Sequence, residues 1–169
     1  MRRPTPINRE KFLKDGDFIV SKTDLKGKIT YGNRIFIEMS GYKEEELLDK
    51  PHSILRHPDM PKVVFKLLWD RIVSKQEIFA FVKNLAKDGS FYWVLANVTP
   101  SLKNKKIVGY YSVRRKPNKK ATETISSVYK LLLDAESRGG IEESKRLLES
   151  FLKDKGVNYD EYIISLQEL

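Results

Sequence analysis

The chain of 169 residues contains no cysteine, which excludes disulfides, thiolate metal sites and a cysteine nucleophile. Histidine is almost as scarce: His52 and His57 are the only two, and both sit in one proline-rich connection. No paired carboxylates, triad order or metal-ligand spacing stands out, so the expectation is a protein that is not an enzyme. No run approaches the roughly 18 apolar residues of a membrane-spanning helix. Met1-Arg2-Arg3-Pro4 lacks the apolar segment of a secretory signal. A soluble, cytoplasmic protein is expected. There is no internal repeat and no low-complexity tract.

Positive charge, in contrast, is plentiful and uneven. Residues 1–117 carry 24 Lys and Arg against 13 Asp and Glu, a net of +11. Residues 118–169 carry 8 against 10, a net of −2. The basic part is suited to an anionic cofactor, an acidic partner, the inner leaflet of a membrane or nucleic acid. No recognised DNA- or RNA-binding motif accompanies it, so no nucleic-acid partner is expected.

Hydrophobic periodicity divides the chain near Lys116-Pro117-Asn118. Phe18 to Asp24 and Lys28 to Tyr31 read as a hairpin across Gly27. Asn33 occupies an N-cap position for a helix that stops at Ser40-Gly41. Lys43 to Leu48 forms a short helical turn. Val63, Val64, Leu67, Leu68 and Ile72 follow helical spacing, with Phe65 and Trp69 four apart on a neighbouring face. Three strands come next: Ile78 to Leu85, Ser90 to Val98 and Ile107 to Val113. Asp88-Gly89 marks a hairpin between the first two, because both residues can adopt positive φ. From Lys119 onward the pattern is helical, in three segments separated by Gly139-Gly140 and Gly156. The expected fold is α+β: a five-stranded antiparallel sheet with short helices on one face, plus a C-terminal helical extension. The divisions are an N-terminal arm or cap (1–17), the α+β domain (18–116) and the extension (117–169).

The most specific stretch is Leu55 to Pro61, where two prolines stiffen a loop carrying Arg56, His57 and Asp59. It runs on through Phe65 and Trp69, Val82-Lys83-Asn84, Gly89, Tyr92-Trp93-Val94, Ala96-Asn97 and Gly109-Tyr110. This series resembles the PAS domain, and within it the flavin-binding PAS domain of bacterial aerotaxis and energy-taxis receptors. The resemblance implies non-covalent FAD, with Asn33, Arg56, His57, Asp59, Phe65, Trp69 and Asn84 at matching cofactor positions. The residue chemistry agrees. A flat ring needs aromatic walls such as Phe65 and Trp69, and an anionic tail needs a cation such as Arg56. Asn84 or Asn97, amides on adjacent strands, can bond the N5 edge and reverse when N5 gains a proton. One departure from the family is Ile78-Phe79-Ala80-Phe81, where members often carry Trp followed by small residues. Phenylalanines facing inward would shrink the cavity.

Without cysteine, no light-driven flavin–cysteinyl adduct can form. Haem would have to use His52 or His57 as axial ligand. A ligand-free PAS module acting only through protein contacts is the main alternative. No output domain, membrane span or methyl-accepting hairpin is evident. The expectation is therefore the soluble sensory half of a split receptor. It would be recruited to the inner membrane by a separate membrane-bound methyl-accepting chemotaxis-type transducer, with the C-terminal helices available for that contact or for a homodimer.

Overall fold

The computed structural model describes residues 2–169. Its sheet consists of β1 (Phe18–Thr23), β2 (Ile29–Gly32), β3 (Ile78–Leu85), β4 (Phe91–Lys103) and β5 (Lys106–Arg115), in the order β2-β1-β5-β4-β3. Every neighbouring pair is antiparallel. Three helices, α1 (Arg34–Ser40), α2 (Glu44–Leu47) and α3 (Lys62–Val73), and a 3-10 turn at His52–Leu55 lie between β2 and β3. The C-terminal part is α4 (Lys119–Lys155) and α5 (Tyr159–Gln167). No helix among the described residues is long and apolar enough to cross a membrane.

Both tight turns obey backbone sterics, one of them unexpectedly. Asn104 and Lys105 adopt φ of 51° and 64° between the paired residues Lys103 and Lys106, a two-residue turn matched to strand twist. This tight turn carries β4 well beyond the expected end at Val98. At Asp88-Gly89 only the glycine has positive φ, at 89°. The turn there spans five residues, 86–90, and closes through the Ala86 N–H donating to the Ser90 carbonyl at 2.8 Å.

Alternation along the strands assigns two faces. Ser21, Val82, Asn84, Ala96, Val98, Ser112 and Arg114 turn toward α3 and the 3-10 turn, around one cavity. Phe79, Leu95, Asn97, Val113 and Arg115 border a small depression on the opposite side. Phe79 and Phe81 therefore do not enter the cavity; Phe81 is fully buried beneath the C-terminal extension. Ala121, Ile125, Tyr129, Leu132 and Ala135 form the buried stripe of α4, at helical spacing. The Tyr129 ring stacks on Trp93 at 6.2 Å, and its hydroxyl donates to the Phe81 carbonyl at 2.6 Å.

That last bond also explains how an edge strand is kept from pairing with another chain. The Lys83 N–H meets the Met60 sulfur, and the Lys83 carbonyl accepts from the His57 N–H. Asp160 of α5 approaches the Phe79 N–H within 3.5 Å. The N-terminal arm runs beside β4 instead. Lys11 N–H donates to the Phe91 carbonyl, and Phe91 N–H to the Arg9 carbonyl.

Candidate functional site

The cavity, about 370 Å³, lies between α3, the 3-10 turn and the sheet. Ligand pockets span about 300–1,000 Å³, so it lies at the small end of that range. It exists because the sheet contributes small side chains there: Ser21, Ala96 and Ser112 leave a floor that larger residues would fill. α3 supplies the wall with Phe65, Leu68, Trp69 and Ile72, spaced to share one helical stripe. Trp69 meets Tyr110 edge to face at 5.5 Å. Its ring also rests against Gly27, whose φ of 81° and lack of a side chain allow that approach.

The polar lining is cationic. Lys26, Arg56 and Arg114 border the cavity, and no Asp or Glu does among the described residues. Arg114 is 2% exposed, and its Nη2 donates to the Ser21 hydroxyl. Its guanidinium lies 4.9 Å from the Phe36 ring centroid. Burial pulls its pKa below the ordinary arginine value, to about 10, against the opposing influence of Tyr92. It still carries its charge at neutral pH, without a carboxylate beside it. Ser21, accepting from Arg114, can donate its own proton to His52 Nε2 at 3.1 Å. Burial first, then the Arg114 charge, push His52 down to about 3, so it is neutral.

Three buried donors among these residues find no partner: Arg56 Nε, Asn84 Nδ2 and Arg114 Nε. An unpartnered buried donor costs about 1–3 kcal/mol. All three residues line the one cavity, where an acceptor on a ligand or water would satisfy them; Asn84 also lies within reach of the Tyr92 hydroxyl. Arg56 additionally stacks on Phe65, 3.6 Å above the ring centroid. Burial lowers its pKa, and the Arg3 charge adds to this.

The structure thus brings Arg56, Phe65, Trp69 and Asn84 together and separates the other expected residues from them. Asn33 works within the backbone: its Oδ1 accepts from Phe36 N–H and Val20 N–H at 3.1 Å each, and its Nδ2 donates to the Phe18 carbonyl. His57 is buried away from the cavity, its Nδ1 accepting from the Asp59 N–H and its ring edge-on to Phe91. Asp59 pairs with Lys83 at 2.7 Å on the exposed side of the loop. Asn97 projects from the opposite sheet face and bonds Glu77 there. The expectation that Asn97 borders a ring is corrected, since strand alternation puts it one residue out of phase with Ala96 and Val98. Arg114, Ser21 and His52 are additions. Arg114 was detectable as a charge in phase with Tyr110 and Ser112, had the last strand been carried past Val113. Among the described residues, no group of three or more His, Asp or Glu could hold a metal ion.

A family model described as the PAS fold matches residues 29–114, and the chain belongs to the PAS family. It is 38% identical over 120 residues to the aerotaxis receptor of Escherichia coli K12, covering 71% of this chain and 24% of that protein. Against the nitrogen fixation regulatory protein of Klebsiella pneumoniae it is 30% identical over 83 residues, 49% of this chain and 17% of the other. The chain spans about a quarter or less of the length of these curated relatives. Among solved structures, the light-oxygen-voltage domain of a flavin-analogue study aligns with a TM-score of 0.57 at 20% identity, over 64% of this chain and 82% of that one. The LOV domain of the Erythrobacter litoralis EL346 blue-light activated histidine kinase aligns at 0.54 and 18% identity, over 59% and 94%. These structures share the fold.

Proposed function

We propose that this PAS domain is a redox sensor for energy taxis, with FAD as its cofactor. The carrying observation is the cavity: aromatic walls, a cationic lining and three unpartnered donors suit a flat, acceptor-rich, anionic molecule. Phe65 and Trp69 would flank the ring, with Asn84 and Arg114 meeting its heteroatom edge. Arg56, held over Phe65, would face the anionic tail. A bound flavin supplies two-electron chemistry coupled to proton uptake at a ring nitrogen. The amide of Asn84 can present either its oxygen or its NH₂ and so register such a change. His52, kept neutral beside Ser21, can accept a proton if negative charge develops nearby. The state is passed by contact to a separate membrane-bound methyl-accepting chemotaxis-type transducer at the inner membrane. A homodimer through the C-terminal helices is a further possible mode of assembly.

The purified protein should be yellow, with flavin absorption bands that bleach on dithionite. Trp69→Ala and Arg56→Ala should lose the colour while keeping the wild-type far-UV spectrum. A colourless preparation that takes up no FAD on reconstitution would instead favour a ligand-free interaction module. Co-purification of the transducer with the wild type tests the partner.

A further inference from the structure

We propose that one end of the sheet is a docking face for an anionic lipid surface. Strand pairing gathers three segments there. β1 ends at Thr23, opposite Tyr110, and β3 begins at Ile78, opposite Val98. The β4–β5 hairpin runs on past both to its turn at Asn104 and Lys105, overhanging the end of β1 by about 13 Å. Beside it lie the β1–β2 turn (residues 24–28) and the segment that follows α3 (residues 73–77). Lys75 ties the last of these to the hairpin, its Nζ donating to the Lys105 carbonyl at 2.8 Å.

The three segments carry Lys26, Lys28, Lys75, Lys103, Lys105 and Lys106 against Asp24 and Glu77, a net of +4. All six lysines are exposed. Among the described residues none of them meets a carboxylate, whereas Lys66, Lys83, Lys87 and Lys116, elsewhere on the molecule, are all ion-paired. Both acids are engaged otherwise. Asp24 Oδ1 accepts from the N–H groups of Lys26 and Lys28 at 2.9 Å each, and Glu77 bonds Asn97 on the opposite sheet face. Leu25, Val73, Leu102 and Val108 stand among these lysines, each more than half exposed. One exposed aliphatic residue is ordinary; four at one end, among unpaired cations, make a patch. Such aliphatic side chains can enter the headgroup boundary of a bilayer while lysine stems reach back to its phosphates. The face has no arginine or aromatic residue, the types that grip nucleic acid by bidentate bonding and base stacking. Charge and composition together therefore fit an anionic bilayer. Lys26 and Gly27 also line the cavity, so docking sets the cavity rim against the lipid. The docking face itself is present whether the cavity is empty or filled.

Vesicle co-sedimentation of the full chain tests this. The wild type should pellet with vesicles of equimolar phosphatidylglycerol and phosphatidylcholine, and stay in solution with phosphatidylcholine alone. Lys103→Gln/Lys105→Gln/Lys106→Gln should weaken binding by about 100-fold. Leu102→Ser/Val108→Ser, which leaves the charge unchanged, should weaken it by about tenfold. Lys120→Gln/Lys145→Gln/Lys153→Gln removes the same charge from the C-terminal extension and should bind as the wild type does. Every one of these substitutions falls on an exposed side chain, so the fold is retained. A wild type that does not pellet with the anionic vesicles would overturn the proposal. An equal loss in the extension variant would overturn it too, because net charge rather than this face would then be responsible. So would tighter binding to a single-stranded oligonucleotide than to the vesicles, if the hairpin lysine variant abolished it; the face would then belong to nucleic acid.

Discussion

Replacing Arg114 by methionine should stabilise the ligand-free protein slightly while impairing cofactor binding. The guanidinium is 2% exposed, lies in the cavity lining and has no carboxylate partner. Its fall from the ordinary arginine value to about 10 corresponds to about 3 kcal/mol acting against the charged form. Against this stands its bond to Ser21, worth about 1.5–3 kcal/mol as a charged hydrogen bond. Methionine fills much of the same volume without needing a partner. The difference is a gain of about 1 kcal/mol, or about 2–4 °C in Tm for a chain of this size. Urea unfolding at pH 7 measures it, and flavin titration should show affinity falling at least about tenfold, the loss of one charge-assisted contact. A destabilisation beyond about 1 kcal/mol would mean that Arg114 holds the fold together, and the reasoning from an unpaired buried cation would fail.

Asn33→Ala removes the acceptor for two backbone N–H groups and should cost about 2–3 kcal/mol in urea unfolding, with flavin affinity of the folded protein unchanged. Tyr129→Phe leaves the Phe81 carbonyl without its buried donor. It should lower stability by about 1–2 kcal/mol in the same assay, without altering the far-UV spectrum. His52 supplies the pH dependence. It is held at about 3 in the fold against 6.5 ordinarily, so below 6.5 the unfolded chain binds a proton that the folded chain refuses. Its contribution is therefore fully present above pH 6.5 and is lost as pH falls toward 3. Between pH 7 and pH 5 this amounts to at most about 2 kcal/mol, less for water entering the cavity. His57, also lowered by burial and then by Lys83, adds in the same direction. Unfolding midpoints at the two pH values should differ less in His52→Gln, and an equal difference would show that His52 is not the group responsible.

The residues most legible in the sequence were those governed by local rules. Helical spacing in Val63 to Ile72 and the glycine stops at Gly41 and Gly156 operate over one or two turns of chain. Asn33 belongs here too: its cap to Phe36 N–H spans three residues and follows from sequence alone. Its cofactor role was suggested by the family match, whereas its side chain is committed to three backbone groups and turned away from the cavity. Phe79 and Phe81 illustrate the opposite limit. Alternation put them on one face, but nothing local says which face of a sheet borders a cavity and which lies under a helix.

The sequence alone determined the order of elements, the antiparallel sheet, the aromatic stripe of Phe65 and Trp69 and the family, because each depends on short-range periodicity or on a contiguous motif. Only the tertiary structure decided where the extension packs, which amide of Asn84 and Asn97 faces the cavity, and that Arg114 lies in its lining. It also joined Glu136 of α4 and Asp160 of α5 to Lys62 and Arg71, at the two ends of α3. Those relations depend on strand phase and on contacts between residues more than 70 positions apart, and no local preference encodes them.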